Sequence, residues 1–426
     1  MDGDPAAASE LDSFSLTFPL PYRVAFIVIL GMPSLRNPRA HAIADIILAA
    51  VWGWGLNLHF LHVRRIDVPS LIRYPGRTSS NQLTHHHSTY RLATLLSATS
   101  TASILLFWAL AGRDPQKVID YDWIPMTNLL VLALLFAVPL RRLSVSHTGR
   151  NRLLATLRRV SIGGLAEPKD GKFGDILLAD VLTSYAKILG DLFVCLCMFL
   201  TRNGSATARP DRGCGGDVLV PLIMAVPSTI RLRQCLIEYV RVRNAPRREA
   251  AGWGGQHLAN AAKYSTAFPV IILTAVLRNT KEHAPGLSRA WIFACLLNSL
   301  YSFYWDVAKD WDLTLFAGER ERNSPEHPFG LRRRLIIHKP GVYYMVIALD
   351  LILRCTWMIK LSPSLDSISS YESTIFLIQS LEVFRRWVWI FFRVETEWIR
   401  NTNTGLAVDD ILLGDFQQGN KYEDED

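Results

Sequence analysis

Ser373-Thr-Ile-Phe-Leu-Ile-Gln-Ser-Leu-Glu-Val-Phe-Arg-Arg-Trp-Val-Trp-Ile-Phe-Phe-Arg393 is the stretch on which the fold turns. About 20 mostly apolar residues are what a helix needs to cross a ~30 Å hydrocarbon core. A backbone in lipid must satisfy its own hydrogen bonds, so the stretch reads as a transmembrane helix. Yet Glu382, Arg385 and Arg386 stand near its centre, spaced i, i+3 and i+4 so that the acid shares a helix face with the two cations. An ionisable residue at that depth costs about 2.5–3.5 kcal/mol when unpaired, which makes it a functional-site candidate.

Working outward, eight further apolar segments of comparable length appear, at about 43–62, 92–112, 122–140, 175–200, 216–232, 257–278, 288–306 and 341–359. Pro227 and Pro269 are expected to break two of them. The loops 63–91, 141–174, 233–256 and 307–340 are rich in arginine, and the loops between them are short and less basic. This alternation predicts an all-α polytopic transmembrane bundle of about nine spans, with a luminal N-terminus and a cytosolic C-terminus. Residues 21–31 begin like a span but stop short, and joining Gly31 to Val51 would complete one, so 32–50 reads as an insertion. The resulting divisions are an acidic tail at 1–20, N-terminal spans at 21–140, a basic cytosolic loop at 141–173, a core at 174–400 and an acidic tail at 401–426.

Composition agrees. The chain has 426 residues, 50% of them hydrophobic and 20% charged, which excludes disorder, a coiled coil and a small disulfide scaffold. The net charge of +8 is spread over separate loops, which argues for basic cytosolic loops and against nucleic acid. Of the six cysteines, five fall in apolar segments, where Cys acts as a small hydrophobe; none makes a CxxC pair. No signal peptide and no luminal retention tetrapeptide is read at the ends. The His85–His87 triplet reads as a solvated loop rather than a metal site, and Asn203-Gly-Ser205 as a common tripeptide in a short luminal loop. No metal, cofactor or catalytic residue is expected. A lipid-linked transferase would need a metal-binding acid pair or a nucleophile in a span, and neither is seen.

Eleven ionisable residues fall inside the spans: Asp180, Lys187, Asp191, Arg231, Lys263, Asp306, Asp350, Arg354, Glu382, Arg385 and Arg386. So many must be paired or face water. Asp350 with Arg354, Lys187 with Asp191, and Glu382 with Arg385 and Arg386 have helical pairing distances. Arg offers a planar fork for carboxylate or phosphate. A water-filled cavity lined by these cations suits a small oxyanion, with the acids weakening the grip enough for release. Trp357, three residues past Arg354, is placed to gate it.

Five ordered blocks then carry a resemblance: Asp175-Ile-Leu-Leu-Ala-Asp-Val-Leu-Thr-Ser184, Pro227-Ser-Thr-Ile-Arg-Leu-Arg-Gln-Cys-Leu236, His257-Leu-Ala-Asn-Ala-Ala-Lys-Tyr-Ser-Thr266, Tyr304-Trp-Asp-Val-Ala-Lys-Asp-Trp311 and Leu381-Glu-Val-Phe-Arg-Arg-Trp-Val-Trp-Ile-Phe-Phe-Arg-Val-Glu395. They resemble the EXS domain of eukaryotic phosphate exporters, closely over 170–400. With no room for an SPX domain, the chain looks like the short, ER-retention-defective (Erd) fungal branch. The resemblance implies a multi-pass Golgi protein that returns inorganic phosphate from lumen to cytosol, supports glycosylation and affects retention of ER luminal proteins. It implies phosphate contacts at Asp180, Thr183 (where the exporters have Asn), Arg231, Lys263, Asp306, Arg354, Trp357, Glu382, Arg385 and Arg386; Lys187 and Asp191 stay structural. Expected partners are phosphate, membrane lipid, Golgi glycosyltransferases or coat and sorting proteins, and a second copy in a homodimer. The competing reading is a sorting factor without transport activity, acting through the basic loops or the acidic dileucine-like Val408-Asp-Asp-Ile-Leu-Leu-Gly-Asp-Phe416.

Overall fold

The computed structural model describes residues 13–29, 51–66, 68–72, 85–137, 147–167, 170–201, 204–244, 254–280, 284–322, 324–325, 327–361 and 372–419. Among them every regular element is helical. The elements are α1 (Ser13–Thr17), α2 (Leu20–Ile29), α3 (Val51–Val63), α4 (Val68–Leu71), α5 (His85–Ala111), α6 (Pro115–Asp120), α7 (Trp123–Ala137), α8 (His147–Ser161), α9 (Lys172–Ser184), α10 (Ala186–Leu200), α11 (Leu219–Asn244), α12 (Gly255–Ser265), α13 (Ala267–Asn279), α14 (Pro285–Trp305), α15 (Glu319–Arg322), α16 (Pro340–Arg354) and α17 (Glu372–Gly419).

Four stretches are long and apolar enough to cross a membrane: His86–Ala111, Pro115–Ala137, Leu219–Asn244 and Gly255–Asn279. A fifth is the pair α9 and α10, bent by 62°. The nine spans read from the sequence are therefore reproduced in part, because several apolar runs are interrupted. The predicted 175–200 span bends at Tyr185 and 341–359 ends as an α-helix at Arg354, whereas 257–278 passes through a turn at Thr266 and still forms one of the four. The 288–306 run gives α14, which passes into a π-helical turn, Asp306–Asp310. Pro227, expected to break its span, sits inside a continuous α11. The last run extends well beyond 373–393 as the 48-residue α17. Residues 32–50 lie outside the described residues, whereas α2 is largely buried in the bundle.

Two apolar clusters stack along α17. One gathers Phe376 and Val383 with Tyr22, Phe107, Ile188 and Val220. The other gathers Trp389, Ile390 and Phe392 with Leu61, Phe173, Val307 and Tyr343. The charged turn Glu382–Arg386 falls where one cluster gives way to the next. Close approach of α3 fixes this register: a Cβ at Gly53 would come 2.5 Å from Trp387 Cδ1. The Trp387 indole donates to the Gly53 carbonyl at 2.8 Å, and Asn57 donates back to the Trp387 carbonyl at 3.3 Å.

The loop from α10 to α11 is stapled by a Cys197–Cys214 disulfide, so Cys197 is not the inert hydrophobe its apolar segment suggested, and Cys214, the one cysteine outside such a segment, is its partner. The same loop packs on α6 through Thr207, whose hydroxyl donates to the Val118 carbonyl at 2.6 Å. Asn203 lies outside the described residues, and Ser205 of its tripeptide is buried. Closing a 17-residue separation is worth about 3 kcal/mol. Cys197→Ser should therefore lower the melting temperature of the purified protein clearly; an unchanged melt would show that the other loop bonds suffice.

Candidate functional site

The interruptions of the helices coincide with the ionisable residues. Thr183 and Ser184 end α9 at the Tyr185 bend, Lys263 and Tyr264 precede the Thr266 break, Asp306 opens the π-turn, and Arg354 closes α16. Discontinuous helices placing polar groups at the centre of a bundle are how transporters build midplane sites. π-turns inside helices likewise recur at functional positions.

On one side, Arg231 of α11 donates from Nε to Asp180 Oδ1 at 2.7 Å and from Nη1 to Gln234 at 2.7 Å. The Tyr264 hydroxyl also donates to Asp180. Lys263 lies 3.8 Å from Asp310 and over the rings of Tyr264 and Trp305. On the other side, Arg385 grips Glu382 with two bonds of 2.9 and 2.7 Å and reaches Asp350 at 3.0 Å and Asp306 at 3.3 Å. Arg354 pairs with Asp350 at 3.0 Å and with Asp306. Two of the pairs expected from spacing, Asp350–Arg354 and Glu382–Arg385, are thus present, and Asp306 joins them across helices.

Arg386 stands apart. Its Nε donates to the Ser184 hydroxyl at 2.8 Å and its Nη2 to Thr183 at 3.2 Å, while the guanidinium lies 4.5 Å from the Trp389 ring centroid. Among the described residues no carboxylate reaches it within ion-pair distance, so the expected Glu382–Arg386 pair is not formed. Ser184 in turn donates to Glu382 at 2.7 Å, linking the two halves. Trp357 lies in a short 3-10 helix, Thr356–Leu361, after α16 rather than on its face. Its indole donates to Ser299 at 3.1 Å, and Ser299 donates to the Arg354 carbonyl at 3.1 Å.

Among the described residues the charged groups pair directly with one another. The Lys187–Asp191 pair is also not formed. Lys187 is exposed. Asp191 accepts from Gln379 at 2.7 Å and pairs with Arg212 at 3.3 Å. Arg212 and Arg23 both hold Glu372, at 2.7 Å each. This second network ties α2, α10 and the stapled loop to the start of α17. Sequence reading missed Asp310, Tyr264, Ser184, Gln234 and Arg212. Asp310 was within a quoted block but past the end of a counted span, and the spacing of its π-turn leaves no one-dimensional mark. Arg212 sits in a loop whose fold depends on the disulfide. His86 of the histidine triplet stacks on His59 with centroids 4.7 Å apart, at a helix junction rather than in a loop.

Helices of membrane-crossing length around a buried, arginine-rich polar centre define a multi-pass membrane protein of transporter-like construction. The chain belongs to the EXS family, whose pattern it matches over residues 38–399. It is 28% identical over 396 residues to "Protein ERD1 homolog 1" of Schizosaccharomyces pombe, covering 92% of this chain and 94% of that one. It is 30% identical over 404 residues to "Protein ERD1 homolog 2" of the same organism, covering 88% and 95%. It is also 31% identical over 257 residues to "Solute carrier family 53 member 1" of Mus pahari, covering 57% of this chain and 35% of that one.

Proposed function

We propose that this chain carries inorganic phosphate from the Golgi lumen to the cytosol, through a site formed by Arg231, Lys263, Arg354, Arg385 and Arg386 with Asp180, Thr183, Asp306, Trp357 and Glu382. The observation that carries the reading is Arg386. A guanidinium in a bundle core, bonded only to hydroxyls, is completed by an anion, and its fork matches a phosphate edge. The hydroxyls of Thr183 and Ser184 lie beside it and become donors to phosphate by turning from the Asp180 carbonyl and from Glu382. Phosphate docking there competes with Glu382 for Arg385, and then with Asp306 for Arg354. Each carboxylate regains its arginine as the anion leaves, so the empty site closes on itself and does not hold phosphate permanently.

The disulfide supports an orientation with the α10–α11 loop on the luminal side, since such bonds persist in oxidising compartments. The basic ends of α8 and α11 then face the cytosol. A relation to ERD1 proteins and to a solute carrier supports the compartment and the transport class together. In proteoliposomes the purified protein should give saturable flux of labelled phosphate above protein-free vesicles. Absence of saturable flux under inward and outward gradients sinks the transport reading and leaves the sorting factor.

A further inference from the structure

α8 takes no part in the polar centre. Its sequence, His147-Thr-Gly-Arg-Asn-Arg-Leu-Leu-Ala-Thr-Leu-Arg-Arg-Val-Ser161, has four arginines and no acid. One face is anchored. Val160 packs against Ala179 and Ile230, Arg159 hydrogen-bonds Asp175 from Nε at 2.7 Å and again from Nη2, and Arg152 donates to the Asp170 carbonyl at 3.0 Å. With 3.6 residues per turn, Leu153, Leu157 and Leu154 fall in one arc of about 100°, in which Leu153 borders the Val160 anchor and Leu154 points away from all three anchors. They are 43%, 37% and 37% exposed, and Ile162, just past the helix, is 65% exposed.

The surroundings say what covers this face. The Ile162 carbonyl accepts from Arg233 of α11. Arg233 lies on the same α11 stripe as Leu222, Val226, Leu236 and Val240, each between 42% and 56% exposed. α11 is long and apolar enough to cross a membrane, and the stripe runs from Leu222 and Val226 in its apolar part to Leu236 and Val240 at its basic end, where a span meets the membrane interface. The apolar surface therefore continues from lipid-facing α11, through Ile162, onto the leucines of α8. Arg158 is exposed at the edge of that arc.

We propose that α8 lies in the plane of the membrane interface, with Leu153, Leu154, Leu157 and Ile162 in the acyl boundary and Arg158 on the phosphate of an anionic phospholipid headgroup. A basic amphipathic helix binds in this way by apolar burial plus attraction to anionic lipid. The helix is fastened to the bundle at both neighbours of the polar centre. Arg159 holds the start of α9, and the strap after α8 is held by Gln234, which donates to the Gly164 carbonyl at 2.9 Å, and by Arg241, which donates to the Leu165 and Ala166 carbonyls at 2.7 and 2.9 Å.

The test uses the full chain in nanodiscs, spin-labelled at Leu154→Cys or, separately, Leu157→Cys, with the signal of the unsubstituted protein subtracted. Oxygen and a water-soluble nickel chelate report depth. Both labels should be oxygen-rich and nickel-poor compared with a label at the exposed Arg320→Cys. Adding phosphatidylserine to phosphatidylcholine should lower nickel access by about five-fold, the effect of one basic side chain near an anionic surface. Arg158→Gln should remove that dependence. Nickel access equal to that of the Arg320 label, loss of the phosphatidylserine effect from the protein with Arg158 intact, or dipolar broadening from a second copy packed on the face would each overturn the proposal.

Discussion

Arg386→Ala is expected to abolish most phosphate flux while leaving the protein folded. Among the described residues the side chain makes two hydrogen bonds to hydroxyls and one ring contact, and no ion pair. Removing it strands little: Ser184 keeps its bond to Glu382, and Thr183 keeps its bond to the Asp180 carbonyl at 2.7 Å. A lost charge-assisted bond to phosphate is worth about 1.5–3 kcal/mol, or about 10- to 100-fold in flux at low phosphate. Arg386→Lys keeps the charge but not the planar fork, and should fall between the two. The measurement is initial phosphate flux in proteoliposomes, with elution profile and melting temperature recorded for each variant. Wild-type flux from a well-folded Arg386→Ala protein would remove the site from this position.

The neighbouring residue should behave in the opposite way. Arg385 is buried and bonds Glu382, Asp350 and Asp306 together. Taking it away leaves three carboxylates in the bundle with less than their share of positive charge. Breaking a buried pair by deleting one partner costs about 3–5 kcal/mol, because the remaining charge is uncompensated. Arg385→Ala should therefore fail to give a monodisperse peak in detergent, or melt far below wild type, before any question of transport arises. If it elutes and melts as wild type does, the network is not what holds α14, α16 and α17 together. Two adjacent arginines, alike in the sequence, are thus expected to separate into Arg386, needed for the anion alone, and Arg385, needed first for the fold and only then for the anion.

Much of the candidate site, as a cluster of buried charge, was legible because intramembrane charge is costly. A segment that is otherwise apolar advertises its exceptions, and Asp180, Arg231, Lys263, Asp306, Arg354, Glu382, Arg385 and Arg386 all converge on one polar centre. Pairs within one helix were legible too, since i, i+3 and i, i+4 spacing fixes distance when the helix is continuous. Asp350–Arg354 and Glu382–Arg385 form. Lys187–Asp191, equally good by spacing, does not, because Arg212 and Gln379 compete for the carboxylate from outside the helix.

What the sequence determined by itself was the solvent of the fold. Long apolar runs, basic loops and isolated buried charges leave a helical membrane bundle as the form in which every backbone group is satisfied. What only the tertiary structure decided was who pairs with whom. The bend at Tyr185, the π-turn at Asp306 and the Cys197–Cys214 staple set inter-helix distances that hydropathy does not encode. Those distances join Asp306 to Arg354 and Arg385, send Arg212 to Glu372 and leave Arg386 among hydroxyls. Hydropathy is a sum over neighbours along the chain, whereas an ion pair depends on geometry across it.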